Sequence, residues 1–459
     1  MSETCKPDGI VGKAGTGAML SLDAIGLQDT FLTSNTGNSF FQFQSTRHTQ
    51  FTKYSASVQM NSDGATNWPF NQVIQVLLRP KEMGDILQHM YIKCTLPSLA
   101  GLSGSPQYCN DVGLAMINQI QFSADDTILE IIKTDWNVVY TELYYTIEEK
   151  TMFKKMTNVD SINGGELIIP LHFFFSRRHS SSFTGDPHVT GNMYFKSGFL
   201  TCAAHKHRNL IITITFNPIT FFSSVTTPVL TLSNFYLVTN EIILSDSERE
   251  YIQNNIQKNL LSLTRNDSVY TVSQTPFVAN ITANVPVKVL HWFVRNQVYE
   301  NQSDSTYYNN RFNFSGLNYN LPFSTSSTIT QQETNNPVIS ETQLYLNGVQ
   351  LTGLSLPVNI QNRKDGSYYF KFIHPLAHSL SSPSRNIYTY SFCLNPADPQ
   401  PSGSLDFSQM DSRSTFITSS LYSLTNQSNF SNSFSMYIFY TCFNTLTYNN
   451  GLVSLDSGW

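Results

Sequence analysis

The chain runs to 459 residues with a formal net charge of −5, and only 13% of it is charged, against the usual ~25%. At ~150 residues per domain it is too long for one core, and two large β units are the simplest division. The densest basic run of its kind is FKK at 153–155, too little for extensive phosphate contact, so direct nucleic-acid binding is not expected.

In chain order, MSETCKPDGIVGKAG at the start has no apolar signal-peptide core, and the Gly-rich, polar residues 1–25 read as an arm. GKAGTGA at 12–18 lacks the Gly-Lys-Ser/Thr ending of a phosphate cradle and does not follow a strand. Strand signals then dominate. In NQIQF (118–122) Ile120 and Phe122 oppose Gln119 and Gln121, and IITITF (211–216) and QLYLNG (343–348) alternate in the same way. VKVLHWFV (287–294) is apolar on both faces apart from Lys288 and His291, which predicts a strand covered by a layer on each side.

Two helices are expected among these strands. DWNVVYTELYYTIEEKTMFKKM (135–156) places Trp136, Tyr140, Leu143 and Ile147 on one stripe, and SDSEREYIQNNIQKNL (245–260) opens with Ser245 and Glu248 at capping-box spacing and repeats Ile252, Ile256 and Leu260. The second helix falls near the middle of the chain. The expected organisation is therefore an arm over 1–25, a first β unit over 26–245, a helical junction over 246–262 and a second β unit over 263–459.

Two long stretches, Asn209–Asn240 and Ser414–Leu455, contain no Asp, Glu, Lys or Arg. Strands without charged gatekeepers have to be covered by neighbouring strands or subunits. Their apolar runs, such as MYIFYTCF at 436–443, fall far short of the ~20 residues of a membrane span, and no transmembrane helix is expected. LNPADPQPSG, beginning at Leu394, puts Pro396, Pro399 and Pro401 directly after a strand-like run, which ends the ladder and predicts a stiff, extended connector.

Signals for chemistry are weak. HKH (205–207) and HPLAH (374–378) have histidines at metal-compatible intervals but no supporting acids, and Pro375 opposes a helix through the second pair. Asp125-Asp126 reads as a turn and Glu148-Glu149 as a solvated helix face, because adjacent acids do not converge on one substrate. Cys5, Cys94, Cys109, Cys202, Cys393 and Cys442 show no CxxC spacing and read as reduced thiols. Asn266, Asn280, Asn301, Asn313, Asn426 and Asn429 head Asn-x-Ser/Thr triplets that Asn/Ser richness alone accounts for. No catalytic, cofactor-binding or metal residue is assigned.

Several segments together resemble the major capsid proteins of nucleocytoplasmic large DNA viruses. They are GAMLSLDAIGLQDTFLTSNTGNSFFQFQSTRHTQF (17–51), VGLAMINQIQFSADDTILEIIKTDW (112–136), ELIIPLHFFFSR (166–177), VPVKVLHWFVRN (285–296), LYLNGVQL (344–351), YYFKFIHPLAHS (368–379) and NIYTYSFCLNPADPQPSGSLDFS (386–408). The most specific is Gln400-Pro401-Ser402-Gly403 followed by Phe407-Ser408. The resemblance implies an all-β chain of two consecutive eight-stranded jelly rolls with a few short helices in the connections. It also implies a homotrimer forming a pseudo-hexameric capsomer of an icosahedral shell. The implied partners are neighbouring capsomers, minor capsid and penton proteins and a nearby internal membrane, with assembly in the host cytoplasm and no cofactor or enzymatic activity. Two rival readings are a minor capsid protein and a double jelly-roll protein that binds or processes glycans.

Overall fold

The computed structural model describes residues 20, 24, 26, 48–60, 70–177, 198–225, 232–272, 274–315, 337–351, 368–398, 401–421 and 433–456. By contacts the chain divides into two units, 1–48 with 183–193 and 49–182 with 194–459, and every strand described belongs to the second. The glycine-rich segment 12–18 lies outside the described residues.

The first half carries β1 Phe51–Gln59, β2 Val73–Leu78, β3 Ile86–Leu96, β4 Ile117–Ala124, β5 Thr127–Lys133, β6 Gly165–Leu171, β7 Phe199–Leu200, β8 Leu210–Phe216 and β9 Ser233–Leu244. The second carries β10 Gln257–Asn266, β11 Tyr270–Val272, β12 Phe277–Asn280, β13 Pro286–Asn296, β14 Ile339–Leu346, β15 Val349–Gln350, β16 Tyr388–Ser391, β17 Leu405–Asp406, β18 Phe416–Leu421, β19 Phe434–Asn449 and β20 Leu452–Leu455.

These strands form four antiparallel sheets, ordered β1-β9-β3-β6 and β2-β8-β4-β5 in the first half, then β10-β19-β13-β16 and β12-β18-β14-β15 in the second. The short ribbons β7, β11, β17 and β20 attach to the sides. Without the ribbons, both halves repeat one order: first, eighth, third and sixth strands in one sheet, second, seventh, fourth and fifth in the other. The two charge-free stretches supply β8, most of β9, β18, β19 and β20; the first four are hydrogen-bonded on both edges, and β20 pairs with β19 alone. The neighbours that an uncharged strand requires are thus strands of its own sheet.

Alternation has the expected physical result. Ile120 and Phe122 of β4 and Ile212 and Ile214 of β8 are fully buried, while Gln119, Gln121, Thr213 and Thr215 between them stay half-buried. The rings of Phe173, Phe175 and Phe199 lie 5.6, 5.1 and 5.1 Å from that of Phe122 and fill the space between the sheets.

Four expectations from the sequence need correction. An all-β class is too strict: the chain is strand-dominated but mixed, because amphipathic segments between the fifth and sixth strands of each half coil into helices. The helix expected over 135–156 is two, α1 Thr134–Tyr144 and α2 Ile147–Thr157. Tyr145 is extended, and Thr146 starts the second helix in a capping box: its hydroxyl accepts from the Glu149 N–H, and Glu149 accepts from the Thr146 N–H. The cap turns Ile147 off the stripe and leaves it 81% exposed.

The junction helix, α3 Asp246–Asn254, stops well before residue 262. The Asn255 side chain donates to the Tyr251 carbonyl at its end, and a ten-residue ladder on β19 claims Gln257–Asn266. Ser245 precedes α3 in extended conformation, but its side chain does not cap it. The proline-dense connector is a closed loop and not an extended strut: Leu394 and Asn395 donate backbone N–H groups to the carbonyl and hydroxyl of Ser402 at 3.3 and 3.0 Å. Pro399 and Gln400 lie outside the described residues. Gly403 closes this loop at φ 137°, where an added Cβ would stand 2.8 Å from the Phe392 carbonyl oxygen.

Truncating Phe122 to Ala removes the ring that all three neighbouring phenyl groups touch. The expected cost is about 3–5 kcal/mol, read as a lower denaturation midpoint.

Candidate assembly site

The two halves meet along a buried seam, and one strand shows its effect. The third strand of the first half, β3, alternates: Met90, Ile92 and Cys94 are buried while Tyr91, Lys93 and Thr95 between them are half-buried. Its counterpart in the second half, β13, is buried at every position from Val287 to Asn296. Helix α1 of the first half accounts for much of the difference. Its Trp136 ring lies 5.5 Å from His291 and 6.2 Å from Phe439, and the Tyr144 hydroxyl pairs with His291 Nε2 at 3.3 Å.

Arginines pin the seam from both sides. The Glu130 carboxylate in β5 is fully buried, pairs with Arg177, and accepts from the Phe174 N–H at 2.7 Å and the Thr264 N–H at 3.2 Å. Arg177 also donates to the Ser262 carbonyl at 2.7 Å, so this pair caps the outer edge of β10. Asp135 receives Arg295 in a two-pronged pair at 2.7 and 3.2 Å. Arg385 reaches Asp111 at 2.6 Å, and Ser384 donates its N–H and hydroxyl to Glu142 at 2.9 and 2.8 Å. Arg311, 1% exposed, donates to the Phe221 carbonyl at 2.8 Å and the Thr220 carbonyl at 3.2 Å in the first half.

Burial and pairing set the charge states. Burial pushes the Glu130 carboxyl above its ordinary range, and Arg177 offsets this only in part. Burial also pushes Glu142 upward, but Lys150, Arg385 and the Ser384 donors outweigh it and hold the group below its ordinary range. Burial lowers His291 to about 3, and it lowers His172, with Arg177 adding to the effect, to about 3. Both imidazoles are therefore neutral in the seam. His172 Nε2 pairs with the Tyr145 hydroxyl at 2.8 Å, and His291 Nδ1 pairs with Thr389 Oγ1 at 3.0 Å.

The weak chemical signals of the sequence resolve into structural contacts. His207 pairs through Nδ1 with Asp125 at 2.9 Å and accepts the Val453 N–H at 2.9 Å, while His205 pairs with the Cys202 carbonyl at 3.0 Å. Asp125 sits in the β4–β5 turn and also receives the backbone N–H groups of Arg208 and Asn209. The HPLAH segment is helical after all: a π-helical turn, Tyr369–Ile373, runs into α4, His374–Ala377, where Pro375 occupies the first turn and its missing N–H is no loss. The rings of His374 and His378 stand 4.3 Å apart, yet His374 accepts the Ser391 N–H at 2.7 Å and His378 pairs with the Leu394 carbonyl at 3.0 Å.

Glu148 and Glu149 lie in the first turn of α2, with Glu149 committed to its cap. Among the described residues no group of three His, Cys, Asp or Glu side chains is placed to hold a metal. Cys94 and Cys202 are buried, and burial lifts each thiol to about 12, far from a reactive thiolate. Of the Asn-x-Ser/Thr positions, Asn266, Asn280 and Asn301 are exposed and Asn313 is buried, accepting from Ser315; Asn426 and Asn429 lie outside the described residues.

A cavity of about 480 Å³ opens between the edge strands β1 and β2, lined by Tyr54, Val58, Leu77, Arg79, Glu82 and Glu241 among others. Its acids are already engaged: Glu82 pairs with Arg79 at 3.0 Å, and Glu241 accepts from Tyr54, from the Gly84 N–H at 2.6 Å and from Thr239 at 2.6 Å. What the described residues present outward includes polar sheet positions and apolar side chains such as Ile147, Leu376 and Leu394 at 81, 79 and 77% exposure. Sequence reasoning missed the seam arginines, for which the only signal was the doubly apolar run 287–294 on one side of the contact.

Paired sandwiches of one strand order, locked along a buried seam, define the class of fold. Comparison with known proteins says which. A family model described as the large eukaryotic DNA virus major capsid protein matches residues 242–454, and one described as the major capsid protein N-terminus matches 39–184. The major capsid protein of Paramecium bursaria Chlorella virus 1 is 23% identical over 422 residues, covering 88% of this chain and 87% of that protein. In fold, the chain is similar to the PBCV-1 virus capsid structure at a TM-score of 0.68 and 16% identity, covering 92% of this chain and all of that one. It is also similar to the Faustovirus major capsid protein at a TM-score of 0.64 and 11% identity, covering 95 and 97%. The chain belongs to the major capsid protein family of large eukaryotic DNA viruses, and it is a structural, shell-forming protein of the virion.

Removing Arg295 leaves two half-buried carboxylates, Asp135 and Glu300, without their cation. Arg295→Ala is expected to cost about 3–5 kcal/mol, and the double change Asp135→Leu with Arg295→Met considerably less, as compared by denaturant midpoints. Acid should loosen the seam. His291 and His172 have folded values below the unfolded imidazole near 6.5, so their stabilisation is present above about pH 6.5 and is lost as pH falls toward about 3. Glu142 acts in the same sense below the carboxylate range, whereas Glu130, raised, opposes it. A melting temperature that falls from pH 7 to pH 5, with a shallower fall in His291→Gln, is the expected result.

Proposed function

We propose that three copies of this chain close into a pseudo-hexameric capsomer, and that such capsomers tile an icosahedral virus shell together with minor capsid and penton proteins. Each half is read as an eight-stranded jelly roll, the first within 26–245 and the second within 263–459, with the junction 246–262 reduced to α3 and the lead into β10. Residues 1–25 are read as an assembly arm.

The observation that carries this reading is the repeated strand order joined by a desolvated seam. Two like lobes fixed at one angle give a rigid pair, and three such pairs supply six lobes around a threefold axis. An exterior poor in ions supports close packing, because charges brought into such contacts would cost several kcal/mol each to desolvate. Assembly in the host cytoplasm, proximity to an internal membrane and contact with other proteins in preference to the genome belong to the same proposal. A glycan-processing reading lacks support on the surface, since Glu82 and Glu241 at the cavity are already engaged.

Light scattering of the purified protein should give about 155 kDa, three times the 51.8 kDa chain. Negative-stain images should show hexagonal outlines. A lone monomer at high protein concentration would overturn the proposal.

A further inference from the structure

Among the described residues, two lysines donate to the side-chain carbonyl of an asparagine. Lys206 Nζ meets Asn450 Oδ1 at 2.5 Å, and Lys371 Nζ meets Asn386 Oδ1 at 2.5 Å. Their surroundings differ. Lys206 and Asn450 are exposed to water, whereas Lys371 and Asn386 are only 4 and 2% exposed.

The backbone places the buried pair. Lys371 lies in the π-helical turn Tyr369–Ile373, which carries both Phe370 and Lys371 to the inside. Turns of this kind are rare and recur at functional sites. Asn386 lies just before β16, and its Nδ2 donates to the Phe314 carbonyl at 3.1 Å, which leaves Oδ1 directed at the lysine. The Phe372 ring lies 5.0 Å from Nζ. A nitrogen nucleophile is thus held one C=O bond from an amide carbon, out of water, where a charged group is costly.

We propose that Lys371 and Asn386 join in an isopeptide bond, a covalent staple across the connection between β15 and β16. Nζ gives one proton to water and attacks Cγ as the neutral amine. The Nζ–Cγ bond forms, the Cγ–Nδ2 bond breaks, and a further Nζ proton passes to Nδ2, which departs as ammonia and takes up a proton from water. In sum, a buried ammonium and a primary amide become a buried secondary amide and a free ammonium ion. The drive is the transfer of a positive charge from the interior to solvent, and no oxidant or cofactor is needed. At Lys206 that drive is lacking, because the ammonium is already hydrated.

The staple closes the span that carries α4 and the exposed Leu376. Cys94, Cys109, Cys202, Cys393 and Cys442 are all free thiols. An isopeptide therefore supplies a cross-link that reducing conditions do not open.

Intact-mass spectrometry of the denatured full-length protein should give the sequence mass less one ammonia. Lys371→Arg and Asn386→Ala should each weigh what their own sequences require. Trypsin should leave Lys371 uncut and release 365–385 joined through Asn386 to 386–413, while Lys206 is cut normally. Wild-type protein at its full sequence mass, cleaved after Lys371, would overturn the staple. An ammonia loss that maps to another site, or that persists in Lys371→Arg, would overturn it as well. The wild-type measurement decides the matter even where a variant fails to fold.

Discussion

Everything above the level of a single sandwich depends on one contact, the burial of the outer face of β13 under helix α1. A sheet face without a second layer among the described residues leaves its two sides chemically distinct, as β3 shows by alternating buried and half-buried residues. On β13 the second side is filled by Trp136 and Tyr144 from the other half, and the polar groups taken out of water there, His291 and Arg295, each find a partner across the contact. Two sandwiches tethered only by α3 and its flanks would be free to swing, since inter-domain motion is the default where an interface is small and polar. Here the buried ion pairs fix the angle, because each has geometric requirements that a rotated arrangement would violate.

The sequence made some of this legible. The uncharged stretches at 209–240 and 414–455 contain the inner strands β8, β18 and β19 and most of β9, which fits a strand with a neighbour on each edge needing no charged gatekeeper, although the edge strands β2 and β20 are uncharged as well. The apolar run at 287–294 marks the doubly covered strand for a similar reason. The break between α1 and α2 was less visible: the apolar stripe runs on past it, and the competing signal is the Thr146 and Glu149 pair inside an otherwise helical pattern. The seam itself was invisible, because Arg177 and Ser262 or Asp135 and Arg295 lie far apart in sequence and no local pattern links them.

The proline segment shows a different limit. Three prolines end a ladder with certainty, but whether the chain then extends or closes depends on a partner that composition does not reveal. Ser402 is that partner, returning to Leu394 and Asn395, and Lys288 donates from β13 to the Asp398 carbonyl at 2.7 Å inside the loop. Burial lowers that lysine to about 8, and the nearby Cys393 and Asp398 offset the burial only in part. The Gly403 that follows is required by the closure and not by extension.

The seam concentrates buried arginines that the outward row of β1 lacks, and the difference has a kinetic as well as a thermodynamic side. Arg177, Arg295, Arg311 and Arg385 are all in or beside the seam, while the outward row of β1 carries Lys53 and otherwise neutral polar residues. Covalent linkage holds the two halves at an effective concentration near the millimolar range, so the seam can tolerate the desolvation of several ions and still form. A contact between separate copies has no such help: it begins from dilute protein and must stay reversible while a large closed shell corrects its errors. Neutral, shape-matched faces suit that task, because their strength grows in small increments of buried area and does not hinge on a few geometrically demanding pairs.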